Sequence, residues 1–103
     1  MDMHKNILVI DDNLTICLML KSWLIKKGFT VETASSVVEA KRKVKEQPFD
    51  LILSDIRMPD ADGFSFLSWV KKYDSDILVI MMTGYADIES AVESMKSGAV
   101  DYI

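Results

Sequence analysis

Short apolar runs alternate with amphipathic stretches along the whole chain. Lys5 to Ile10 ("KNILVI") ends in an unbroken apolar run and reads as a buried strand. Asn13 is an N-cap candidate for a helix from Leu14 to Lys27, and Gly28 supplies its C-terminal stop. Phe29 to Ala34, with Thr30, Val31 and Thr33, predicts a second strand. Ser36 and Glu39 have the spacing of a capping box, so a helix opens there and runs to about Gln47, where Pro48 ends it. Phe49 to Asp55 is a third strand, Arg57 to Gly63 a turn-rich loop, and Phe64 to Lys72 a helix. Ile77 to Thr83 ("ILVIMMT") is a fourth strand. Asp87 to Ser97 is a helix stopped by Gly98, and Val100 to Ile103 opens a fifth strand.

Strand-helix alternation with continuously apolar strands means an α/β fold, with a parallel sheet covered on both faces. No repeat, linker or low-complexity tract interrupts it, so residues 1–103 are expected to form one domain. The pattern stops at Ile103, where more strand and another helix should follow. We therefore expect a C-terminally incomplete domain in a parent chain that continues.

Composition narrows the functions. Of 103 residues, 50% are hydrophobic and 27% charged, which is globular and not disordered. The net charge of −4 argues against this domain gripping nucleic acid through phosphate contacts. The apolar runs are too short to span a bilayer, and "MDMHKN" has no apolar signal region, so no membrane role is expected. Cys17 is the single cysteine, so no internal disulfide forms, which fits a reducing cytoplasm. Most of the seven methionines lie in apolar runs and should fill the core. Met81 and Met82 belong to core and sheet-edge packing.

The chemistry gathers at strand ends. Asp11 and Asp12 close the first strand, Asp55 the third, and Thr83 the fourth. In open parallel α/β sheets, ligands bind beyond the carboxyl ends of the strands, where strand order reverses. If the first strand neighbours the third, Asp12 and Asp55 converge. Two unit charges about 4 Å apart repel by roughly 4 kcal/mol at an effective dielectric of about 20. A divalent cation reverses that sign, and hard carboxylate oxygens suit Mg²⁺. Acids ahead of a helix N-terminus also complement its dipole, and Asp favours turns, so each acid alone has a purely structural explanation. Their joint placement with a hydroxyl on one sheet edge does not.

"ILVIDDN", "FDLILSDIRMPDADGF", "VIMMTGYAD" and "SGAVDYI" together resemble the receiver domain of two-component response regulators, over essentially the whole chain. The resemblance brings a flavodoxin-like, doubly wound sheet of order 2-1-3-4-5, of which this family is a standard example. It implies that a sensor histidine kinase passes a phosphoryl group to Asp55, which is later hydrolysed. Self-phosphorylation and autodephosphorylation would be the only catalysis. It also implies that Asp11 and Asp12 hold Mg²⁺ together with the Asp55 carboxylate and the backbone carbonyl of Arg57. Thr83 matches the switch hydroxyl, Tyr102 the aromatic that repositions with it, and Gly84 the small residue beside the phosphate site. One departure stands out. The family's phosphoryl-contacting lysine would fall two positions beyond Ile103, and no lysine of this chain can be assigned its role. "GYADIESAVESMKSGAVDYI" further resembles receivers of nitrogen-regulator-like transcription activators, which join an ATPase and a DNA-binding output domain.

Leu14, Cys17, Leu18, Leu20, Trp23 and Leu24 give the first helix a broad apolar face, expected to be mostly core and in part the seat of the missing last helix. Left uncovered, that patch and an unpaired sheet edge favour a homodimer or segment exchange. Lys41, Arg42, Lys43 and Lys45 read as a solvated face. His4 has no expected role. Met58 and Pro59 should fix the loop after Asp55, with Gly63 supplying a backbone turn.

Two other functions fit parts of the pattern. "DDNLT", Asp11 to Thr15, has the spacing of the D-x-D-x-T loop of haloacid-dehalogenase-type phosphatases, with Asp11 as nucleophile and Asn13 replacing the second acid. A pure interaction module that never takes phosphate is the other. The residue that accepts phosphorus separates all three.

Overall fold

The computed structural model describes residues 5–55 and 63–82, together with the backbone of Asp101–Tyr102. The chain runs β1 (Asn6–Ile10), α1 (Leu14–Lys26), β2 (Thr30–Ala34), α2 (Val37–Glu46), β3 (Leu51–Asp55), α3 (Gly63–Tyr73), β4 (Leu78–Met82) and β5 (Asp101–Tyr102). The strands form one sheet of order β2-β1-β3-β4-β5, and every pairing is parallel. This is the expected doubly wound, flavodoxin-like α/β fold. The expected helix from Asp87 to Ser97 and most of the loop from Arg57 to Gly63 lie outside the described residues, as do His4, Met58 and Pro59.

Period-two alternation splits the strand side chains between the two sheet faces. Leu8, Ile10, Ile52, Val79 and Met81 pack with Val37, Ala40 and Val44 of α2 and Phe66, Leu67 and Val70 of α3. Ile7, Val9, Val31 and Leu53 face the other way, onto Cys17 and Leu24 of α1. Burial on both faces explains why the strands carry apolar runs and not a half-polar alternation. Met81 is buried and Met82 is half-buried at the edge of the second cluster.

The helix ends follow the capping residues. Asn13 Oδ1 accepts the Ile16 N–H at 3.2 Å, and Ser36 Oγ accepts the Glu39 N–H at 3.2 Å. The hydroxyl half of the expected capping box is formed by the latter contact. The Glu39 carboxylate lies 3.8 Å from Lys43. Gly28 takes φ +99° just past α1, the left-handed conformation that glycine adopts without strain.

Two expectations need correction. On α1, Cys17 and Leu24 are buried and Leu20 is half-buried, but Leu14, Leu18 and Trp23 are 67%, 56% and 57% exposed. The apolar face is therefore not mostly core. Among the described residues, α1 alone covers its side of the sheet, so only its innermost positions meet the strands. The basic run of α2 is not uniformly solvated either. Lys43 is only 19% exposed in its side chain; its ammonium donates to the Thr33 carbonyl and lies 3.5 Å from Glu32, tying α2 to β2. Lys41 and Lys45 lie over the Trp69 ring, 5.4 and 5.8 Å from its centroid, so their charges help dock α2 against α3.

Candidate metal centre

The site is built where β1 and β3 end. The register pairs Ile10 with Ser54, so the residues that follow, Asp11 and Asp55, emerge side by side. Asp11 carries the sheet one step further: its N–H donates to the Ala34 carbonyl at 3.1 Å. The chain then turns into α1. The Asp11 carboxylate accepts the Asn13 N–H at 2.9 Å, which turns it back over the strand end. Asp11 is 6% exposed, Asp12 is exposed and Asp55 is half-buried.

One carboxylate oxygen from each of Asp11, Asp12 and Asp55 can be chosen so that all three lie within 4.8 Å of one another. Asp12 and Asp55 thus converge at one rim, as the strand order requires. The Asp11 carboxyl is held above the ordinary aspartate range. Burial is the main cause, and the negative fields of Asp55 and Asp12 add to it, opposed by the Asn13 N–H. Burial also pushes the Cys17 thiol up, reinforced by the Asp11 charge. The thiol therefore stays protonated at neutral pH, with Sγ 3.2 Å from the Asp11 carbonyl oxygen. Three hard carboxylates, one of them buried against its own charge, form a donor set that fits a small divalent cation such as Mg²⁺.

Of the other expected site residues, Arg57, Thr83 and Gly84 lie outside the described residues. Tyr102 is placed only through its backbone, which pairs with Met81 in the β4–β5 ladder. Sequence reasoning overlooked two residues beside the acids. Cys17 contacts the Asp11 carbonyl, and the Ser54 hydroxyl donates to the Asp55 carbonyl at 3.0 Å. The available signal was a serine inside the apolar strand "LILSD", a polar group that burial obliges to find a partner.

Fold and site together define a flavodoxin-like α/β domain with a cluster of three carboxylates at the carboxyl ends of its central strands. The chain belongs to the response regulator receiver domain family, whose model matches residues 7–103. It is 42% identical over 102 residues to the transcriptional regulatory protein ZraR of Escherichia coli (strain K12), covering 97% of this chain and 23% of that protein. It is 39% identical over 101 residues to the DNA-binding transcriptional regulator NtrC of Proteus hauseri, covering 95% and 21%. The chain thus spans less than a quarter of these curated relatives. Among solved structures it resembles a two-component response regulator from Clostridium difficile, with a TM-score of 0.93 and 28% identity over 96% of this chain and 81% of that one. It also resembles the beryllofluoride-activated NtrC4 receiver domain dimer, with a TM-score of 0.89 and 36% identity over 94% and 80%.

Proposed function

We propose that this chain is the phosphoacceptor receiver of a two-component response regulator, and that it takes a phosphoryl group from a sensor histidine kinase onto Asp55. The observation that carries this reading is the convergence of Asp11, Asp12 and Asp55 within 4.8 Å at the ends of adjacent strands. Asp55 ends the strand flanked by β1 and β4, and it is half-buried, so its carboxylate can be both held and reached. Asp11 is a poor acceptor, being almost fully buried with its carboxylate bonded to the Asn13 N–H. That weighs against the phosphatase reading, which needs Asp11 as nucleophile.

In the transfer, an Asp55 oxygen attacks phosphorus and an O–P bond forms. The P–N bond to the kinase imidazole breaks, its electron pair stays on nitrogen, and the product is an aspartyl phosphate. Such chemistry needs in-line positioning and charge neutralisation more than covalent help. Asp11, Asp12, Asp55 and the Arg57 carbonyl would hold Mg²⁺, which when bound offsets the negative charge of acceptor and phosphoryl oxygens. Thr83, Gly84 and Tyr102 are proposed to respond to the new phosphoryl group. Thr83 supplies the hydroxyl, Gly84 leaves room, and Tyr102 repositions.

We read residues 1–103 as one receiver unit. The parent would act in the cytoplasm and carry a transcriptional output, with ATPase and DNA-binding parts. The relatives' names support transcription, and no described helix is long and apolar enough to cross a membrane. The exposed Leu14, Leu18 and Trp23 favour a homodimer or segment exchange of this chain.

The test is acetyl phosphate with Mg²⁺, added to wild type and Asp55→Asn, read by intact mass and by mapping the modified residue after borohydride trapping. One phosphoryl group on Asp55 and none in Asp55→Asn is expected. Undiminished uptake by Asp55→Asn would refute the assignment, and label on Asp11 would favour the phosphatase reading.

A further inference from the structure

Asp11 and Ser54 are the buried polar residues among those described, and both sit at the acid rim. Their surroundings share one arrangement. Behind each of the two acids that close β1 and β3, a small side-chain donor meets the backbone carbonyl of that same acid. The Cys17 thiol donates to the Asp11 carbonyl at 3.2 Å, in a buried contact, and the Ser54 hydroxyl donates to the Asp55 carbonyl at 3.0 Å. Cys17 is delivered by α1, whose first turn is closed by the Cys17 N–H on the Asn13 carbonyl at 3.1 Å. Ser54 is delivered by β3 itself and is fully buried.

We infer that Cys17 and Ser54 are positioning residues, which fix the peptide planes of Asp11 and Asp55 and so aim the two carboxylates at one cation. The inference rests on the reading of this rim as the Mg²⁺ and phosphoacceptor site. Asp11 is then held at three points by three different elements. Its N–H binds the Ala34 carbonyl at the end of β2, its carboxylate takes the Asn13 N–H in the turn, and its carbonyl takes the Cys17 thiol of α1. With the amide and the carbonyl both fixed, rotation of the Asp11 backbone is suppressed. Groups that orient metal ligands from behind matter for affinity, because carboxylates that are already aimed lose less freedom when the cation arrives.

Packing alone makes a different forecast. If Cys17 merely fills space beside Val9 and Leu24, replacing sulfur by a hydroxyl should be no better than deleting it, since both lose apolar volume. If Ser54 merely tolerates burial, alanine should serve as well or better.

The test compares Cys17→Ala with Cys17→Ser, and Ser54→Ala with Ser54→Cys. Mg²⁺ affinity is read from amide NMR shifts, and thermal stability is read separately in EDTA. Each alanine variant should bind Mg²⁺ about tenfold more weakly than wild type, and each donor-keeping variant should recover most of that loss, whatever its melting temperature. Alanine variants with wild-type affinity would overturn the inference, as would serine and cysteine replacements as weak as the alanines. Wild type that shows no Mg²⁺-dependent shifts would overturn the metal-site reading itself, and with it the positioning role. That outcome is distinct from the other two.

Discussion

Removing one charge from the rim should stabilise the protein when metal is absent. Asp11→Asn is the informative substitution, because asparagine keeps an oxygen to accept the Asn13 N–H and nearly the same volume. With one oxygen of each acid within 4.8 Å of the others, each ionised pair repels by at least about 3.5 kcal/mol at an effective dielectric of about 20, before screening. Asp12 is exposed and Asp55 half-buried, so solvent and salt reduce this, and a net gain of about 1–2 kcal/mol is the reasonable expectation. For a chain of this size that is roughly 5–12 °C in melting temperature. The pH dependence fixes the cause. The folded Asp11 carboxyl is raised above its ordinary 3.8, so the folded state holds that proton more tightly than the unfolded state does. Its favourable contribution is fully present below 3.8 and is lost as pH rises through the raised folded value. The advantage of Asp11→Asn should therefore be full at pH 7 and fade in acid, as the wild-type carboxyl becomes neutral. Saturating Mg²⁺ should reverse the order, since wild type offers three carboxylates and the variant two. Circular-dichroism melts at neutral and acid pH, in EDTA and in Mg²⁺, give the four readings. A variant less stable than wild type at pH 7 in EDTA, or a gain equally large in acid, would refute the picture of a folded state strained by its own negative charge.

Two further outcomes follow from the helices. Ser36→Ala deletes the acceptor of the Glu39 N–H and should cost about 1 kcal/mol in urea unfolding, with an unchanged slope; no loss would mean that water caps α2 equally well. Leu18→Glu combined with Trp23→Glu places charge on the exposed face of α1 and should shift this chain toward monomer in sedimentation experiments; a wild type that is already monomeric at high concentration would remove that face as the cause of association.

Most of the architecture could be read from the sequence because its signals are local. Asn13, Gly28 and Ser36 mark helix ends through their own backbone and side-chain geometry, and the predicted boundaries of α1, α2 and β3 fall within about two residues of those observed. The strand order was not local information. Nothing in "ILVIDD" shows that β3, and not only β2, lies beside it; that came with the family resemblance, and the convergence of Asp12 and Asp55 depends on it. The extent of exposure at Leu14, Leu18 and Trp23 was only partly legible, for a related reason. Periodicity reveals which residues are apolar, whereas burial depends on what lies opposite, and only the innermost positions of α1 meet the sheet. Lys43 escaped notice because a lysine in a basic run looks solvated, and its partners, Thr33 and Glu32, sit on a different element.

The same geometry explains why the rim can be tolerated at all. An acid cluster that opposes folding needs a rigid support, and here the strands beneath it supply one. Ile7, Leu8, Val9 and Ile10 of β1, and Ile52 of β3, are almost completely buried from both sides. Register between β1 and β3 is held by close packing, because slipping either strand by one position would exchange the side chains fitted under α1 with those fitted under α2 and α3. The carboxylates therefore cannot relieve their repulsion by sliding apart along the sheet. Their remaining routes are protonation, which the raised Asp11 carboxyl already favours, or a cation. A rim that the core holds together against its own charge is thus linked thermodynamically to its ligand. Whatever neutralises the rim must stabilise the fold, so Mg²⁺ should raise the melting temperature in proportion to the logarithm of its concentration above the dissociation constant. A melting temperature indifferent to Mg²⁺ would show that the three acids, although close, do not act together.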